Sequence, residues 1–132
     1  MCLSTTFDGL PIRVHEESSG TLHCEPPAAE ALRWGSDIIV CLIAEGITAG
    51  DKLGQRRVEL ARRNILCFKQ DGALRWQISP SHQVIADERL EPAYPYTGIR
   101  NWRGRLAANN WDDWLYEINP DDGSVKRIKE VR

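Results

Sequence analysis

A chain of 132 residues that is 42% hydrophobic and 27% charged is long enough for one domain with its own core, and too apolar to stay disordered. Its formal net charge of -2 argues against a general polyanion or membrane-surface binder. The longest apolar run, Ile38 to Ala44, is too short to span a bilayer.

Met1 to Leu10 reads as a polar, loosely held lead-in. It has no basic start and no apolar stretch, so no signal peptide and a cytoplasmic location are expected. From Pro11 to Glu17, Ile12 and Val14 alternate with Arg13 and His15, the period of a half-buried strand. Ser18-Ser19-Gly20 supplies a turn and Thr21 to Glu25 a return strand, stopped by Pro26-Pro27, since proline donates no ladder hydrogen bond. Ala28 to Trp34 has the clearest helical propensity and predicts one or two helical turns ended by Gly35. Asp37 to Glu45 is a continuous run rich in β-branched residues, the pattern of a strand buried on both faces. Gly46 to Gly54 reads as a loop; Gln55 to Arg63 reads as a strand or short helix, with Val58 and Leu60 favouring the strand.

The strongest local signal is Asn64 to Ile78. Two strand-forming runs flank Asp71-Gly72, a dipeptide suited to a tight hairpin in which both central residues need positive φ. Leu66 and Phe68 share one face, as do Leu74, Trp76 and Ile78, so an antiparallel hairpin with those residues inward is expected. Ser79 to Pro95, with Pro80, Pro92 and Pro95, reads as a long surface loop with a short strand at Gln83 to Ala86. Thr97 to Trp102, Gly104 to Asn109, Trp114 to Ile118 and Ser124 to Val131 then form four short strands in a meander. The fold class is therefore mainly β: one domain over residues 1–132, an antiparallel meander closing into a small barrel or sandwich, with at most one short helix.

Catalytic and ligand-binding signatures are sparse. Cys2, Cys24, Cys41 and Cys67 are scattered without a C-x-x-C pair and read as free thiols in a reducing compartment. His15, His23 and His82 lack metal-ligand spacing, although His15 and His23 could meet across a hairpin. There is no nucleophile elbow, phosphate loop or dinucleotide fingerprint. Asp112-Asp113 and Asp121-Asp122 fall in turns, where carboxylates usually accept local backbone amides. No cofactor, metal, nucleic acid or membrane is expected, nor enzymatic activity; the oligomeric state is left open.

Charge is segregated, however. Asp112 to Asp122 is acidic without a basic residue, whereas Arg100, Arg103 and Arg105 form a basic cluster. Opposed patches on a nearly neutral chain suit steered protein recognition. Trp111, in a turn between Asn110 and Asp112 where burial is harder, is a candidate interface anchor; the alternative is that it folds back over a sheet edge. The candidate interface is thus Trp111, Asp112, Asp113, Asp121 and Asp122, with Arg100 and Arg103 as the alternative basic surface.

Two stretches echo one another: I-L-C-F-K-Q-D-G-A-L-R-W from Ile65 to Trp76, and L-Y-E-I-N-P-D-D-G-S-V-K-R from Leu115 to Arg127. Leu66 matches Tyr116, Phe68 matches Ile118, and Leu74 matches Val125. Both resemble the repeat hairpins of quinoprotein-type propellers, but the chain has too few strands for a propeller, so quinone binding does not follow. The stretches 64–78 and 110–123 also resemble small bacterial immunity proteins. That resemblance implies a non-enzymatic partner that binds a cognate toxin and occludes its active site, with the acidic turns facing a basic cleft. The alternative is a small-molecule-binding barrel or enzyme with residues 79–96 as its lid and His82, Tyr94 and Tyr96 as its polar groups.

Overall fold

The computed structural model describes residues 2–25, 28–43, 60–81, 85–86, 89–90 and 94–130. Within them lie strands β1 (Cys2–Phe7), β2 (Leu10–Glu16) and β3 (Leu22–Cys24), which form an N-terminal sheet. Strands β4 (Ala28–Trp34), β5 (Asp37–Leu42), β6 (Ile65–Phe68) and β7 (Leu74–Gln77) form a central sheet. A two-stranded ribbon, β8 (Ile85–Ala86) with β9 (Arg89–Leu90), precedes a C-terminal sheet of β10 (Tyr96–Trp102), β11 (Arg105–Asn110), β12 (Trp114–Ile118) and β13 (Val125–Glu130). Every sheet is antiparallel and takes its strands in chain order. The sheets do not close into a barrel; they pack face to face as a sandwich of meanders.

The central sheet holds a core on each face. Ile39, Cys41, Ile65, Cys67, Trp76 and Ile78 pack on Tyr96, Ile99, Leu106, Ala108, Tyr116 and Ile118 of the C-terminal sheet. Ile38, Val40, Leu42, Leu66 and Phe68 pack on Leu3, Ile12 and Val14 of the N-terminal sheet. The alternation of side chains along a strand thus explains why β5 and β6 read as unbroken apolar runs. Each fully buried Ile or Leu contributes about 1.5–3 kcal/mol.

The central and C-terminal sheets share one strand order, and the echoed hairpins occupy the third and fourth strands of each. Phe68 pairs with Leu74 as Ile118 pairs with Val125. Leu66 and Phe68 point to the sheet before theirs in the chain, and so do Tyr116 and Ile118. The echo therefore reflects one solution to the same burial problem.

Several expectations are corrected. Ala28 to Trp34 is a strand, not a helix: Ala31 packs toward the N-terminal core while Leu32 and Trp34 pack toward the other, and pairing with β5 overrides local propensity. The lead-in is not loose; β1 pairs with β2 from Cys2↔His15 to Phe7↔Leu10. Its turn, Asp8-Gly9, has φ of 52° and 81°, the doubly positive geometry expected at Asp71-Gly72. Arg103-Gly104 repeats it at 52° and 82°. At Asp71-Gly72 only the glycine is positive, at 89°. There Lys69 N donates to Ala73 O at 2.8 Å and Gly72 N to Lys69 O at 2.9 Å, a wider loop with a glycine bulge. That wider loop leaves Leu74 43% exposed rather than buried. Residues 60–62 are helical, and Leu60 enters the N-terminal core; residues 55–59 of that stretch lie outside the described residues, as do the loop 46–54 and residues 82–84, 87–88 and 91–93 of the long loop.

Hydrogen bonds reinforce the packing of the central sheet on the C-terminal sheet. Asn64, fully buried, donates from Nδ2 to Leu42 O at 2.9 Å and Tyr96 O at 2.8 Å. Its Oδ1 accepts from Tyr96 N at 2.9 Å. Trp76 Nε1 donates to Pro120 O at 2.8 Å, and Ser79 N to Gly123 O at 3.0 Å, so the β12–β13 turn lies on the indole. A Cβ on Gly123 would sit 2.7 Å from Trp76 Cε3, at a φ of 80°.

Gly123→Ala is expected to lower the unfolding free energy by about 3 kcal/mol, clash adding to backbone strain. Gly104→Ala, at φ 82° in open space, should lose only about 1 kcal/mol. Urea melts of both variants, followed by tryptophan fluorescence, check the difference. Asn64→Asp sets a carboxylate against two carbonyl oxygens and should lose about 3 kcal/mol or more in the same melts.

Candidate functional site

The β11–β12 turn is built around Asn110, which is 5% exposed. Its Nδ2 donates to Tyr94 O at 2.8 Å, and its Oδ1 accepts from Asp112 N at 3.0 Å. Trp111 N donates to Pro95 O at 3.2 Å, and Asp113 N to Asn110 O at 3.2 Å. Asp113 takes a φ of 67°, tolerable for an aspartate in a tight turn. These bonds hold the backbone while leaving the Trp111 side chain 68% exposed, with Tyr94 beside it at 41%.

Asp112 faces inward instead. Its Oδ1 accepts from Trp114 N at 3.0 Å; its Oδ2 accepts from Tyr116 Oη in a short hydrogen bond and from Arg127 Nη2 at 3.4 Å. Arg127 Nε donates to Tyr116 Oη at 3.1 Å, and its guanidinium stacks 4.7 Å from the Trp114 ring centre. With 11% of its side chain exposed, Asp112 is committed to this cluster. Burial, then the hydrogen bond to Asp112, push the Tyr116 hydroxyl above its ordinary pKa of 10.0. Tyr96, edge-on to Tyr116 at 5.9 Å, is raised strongly by burial, and its hydroxyl donates to Ser79 O at 2.8 Å.

The expected interface is therefore divided. Antiparallel β12 carries the chain from the 111–113 turn at one end of the sheet to the 119–124 turn at the other. Trp111 and Asp113 lie at the first end; Asp121 and Asp122 lie at the second, as does Arg103 in the β10–β11 turn, with Arg100 partway along β10. Asp122 Oδ1 accepts from Ser124 N at 2.9 Å and Ser124 Oγ at 2.7 Å, which hold that carboxyl below its ordinary pKa. One acidic face made of all four aspartates does not form.

Arg127 and Tyr116 were not expected at this site. Arg127 meets Tyr116 only through a register shift between Leu115 and Tyr116, which no local pattern encodes. His15 and His23 do meet across β2 and β3, with ring centres 4.9 Å apart. Of the groups assigned to a ligand-binding lid, Tyr96 is buried in the core, Tyr94 is exposed, and His82 lies outside the described residues. Among the described residues, no three His, Cys, Asp or Glu side chains are set to hold a metal, and no helix is long and apolar enough to cross a membrane.

A family model described as Domain of unknown function (DUF7957) matches residues 29–130. The chain belongs to this family. The match takes in the central and C-terminal sheets and the whole of the Trp111 turn, and starts after β3. No curated protein and no solved structure matches the chain.

Burial pushes Cys41 and Cys67 up to about 12 from 9.0, with nearby Glu30 and Asp37 adding to it. Raised values in the folded state mean that this contribution to stability is complete below pH 9 and is lost as pH rises toward 12. Tyr96 and Tyr116 add to the loss above pH 10. Unfolding free energy from urea melts is expected to be level up to about pH 9 and to fall beyond it. Cys41→Ala should flatten the early part of that fall.

Proposed function

We propose that this chain is a non-enzymatic, cytoplasmic interaction protein, of the immunity type, that binds a toxin protein and covers its active site. The observation that carries the reading is the Trp111 turn. A large indole stands 68% exposed on a backbone held by Asn110, Pro95 and the Asp112–Tyr116–Arg127 cluster. Exposing that ring to water is unfavourable, and a turn whose backbone is already held loses little backbone entropy on docking. Those are the properties of an interface anchor. Tyr94, whose carbonyl accepts from Asn110 Nδ2, is also exposed, as is the acidic Asp113 two residues on from Trp111. The likeness of 64–78 and 110–123 to immunity proteins supplies the class of partner.

The product of an adjacent toxin gene is the partner to test. The expected result is co-purification and loss of toxin activity on mixing, with Trp111→Ala weakening binding by about 2 kcal/mol, roughly thirtyfold. Asp122→Ala, at the far end of the sheet, should leave affinity unchanged. Equal binding by Trp111→Ala and the unaltered chain would remove Trp111 as the anchor.

A further inference from the structure

The outer face of the C-terminal sheet carries a second surface. Arg100, Ala107, Glu117 and Lys126 form one row across β10 to β13. Their chain neighbours Ile99, Leu106, Ala108, Tyr116 and Ile118 pack into the core, so the row faces away from it; Ala107 within the row is itself buried, and the exposed members are Arg100 and Lys126 at its ends. Trp102 follows Arg100 by two positions and pairs with Arg105, which extends the same face. Arg103 lays its guanidinium 4.9 Å from the Trp102 ring centre.

Arg100, Arg103, Arg105 and Lys126 are all exposed there. Glu117 Oε1 lies between Arg105 Nη1 at 3.1 Å and Lys126 Nζ at 3.7 Å. Among the described residues, Glu117 is the carboxylate paired with these four cations, and it reaches two of them. With strands about 4.8 Å apart, the row spans about 14 Å. Asp121 and Asp122 lie at the same end of the sheet as Arg103, but among the described residues no ion pair joins either of them to these four cations. The N-terminal sheet is different: Arg13 pairs with Glu25 at 3.8 Å, Arg33 with Glu16 at 3.0 Å, and His23 lies 4.0 Å from Glu17.

We infer that this basic face docks an acidic surface of a partner protein. The inference rests on reading the chain as an interaction protein and adds the chemistry of the partner. An excess of cations on a flat sheet at fixed spacing complements carboxylates, and speeds encounter with them. Nucleic acid fits less well. Among the described residues Trp102 is the aromatic beside the row, and Arg103 already covers its ring, which leaves no free platform on which bases could stack.

The test is titration of the isotope-labelled full chain with poly-L-glutamate and, separately, with oligodeoxythymidine, both at low salt and followed by amide chemical shifts. Poly-L-glutamate is expected to move amides of β10, β11 and β13, and the double variant Arg100→Glu/Lys126→Glu should bind it about tenfold more weakly. Trp111→Ala should bind it like the unaltered chain; this outcome is independent of whether Trp111 anchors a toxin. The inference is overturned if poly-L-glutamate does not bind, if charge reversal leaves its affinity unchanged, or if oligodeoxythymidine binds more tightly.

Discussion

The structure depends on how Asn64 closes the seam between two sheets. One buried carboxamide satisfies Leu42 O, Tyr96 O and Tyr96 N at once. It ties the end of β5, the start of β6 and the start of β10 at a point where the chain passes from the central to the C-terminal sheet. Unpaired backbone groups at such a depth would each cost about 1–3 kcal/mol. A carboxamide is suited to the place because it donates and accepts from one planar group. Through Tyr96 this seam meets Tyr116, and through Tyr116 it meets Asp112 and the turn that displays Trp111. The exposed indole therefore stands on a continuous line of packed and hydrogen-bonded groups reaching back to the central sheet.

The central sheet carries a core on each face. The outer sheets differ in charge. On the N-terminal sheet acids and bases meet in pairs, whereas on the C-terminal sheet Arg105 and Lys126 share Glu117 and Arg127 pairs with Asp112. Carboxylates that looked available in the sequence have local tasks: Asp112 holds Tyr116 and Arg127, and Asp122 holds Ser124. What the C-terminal sheet presents to solvent is an anchored tryptophan at one end and a cationic face along its length.

Strand-forming segments were legible wherever burial follows a simple period. The run at Ile38 to Leu42 announced burial on both faces, and Ile12 and Val14 announced a half-buried strand. The four C-terminal strands were legible for the same reason, with turn residues between them. Ala28 to Trp34 was misread because alanine, glutamate and leucine favour a helix locally, while pairing with β5 and packing on two cores decide for the strand. Asp8-Gly9 was passed over and Asp71-Gly72 overread, because a dipeptide permits a tight turn but the register of the flanking ladder selects the loop length.

By itself, the sequence determined the all-β class and the antiparallel meander, since these follow from periodicity. Only the tertiary structure decided that the meanders stack as a sandwich instead of closing, that Asp112 is withdrawn into a cluster with Arg127, and that Asp121 and Asp122 lie at the opposite end from Trp111. The physical reason is that local patterns specify which face of a strand is buried, whereas the partner of a face and the fate of a carboxylate depend on residues distant in the chain, brought near by register and by the sheet that packs above.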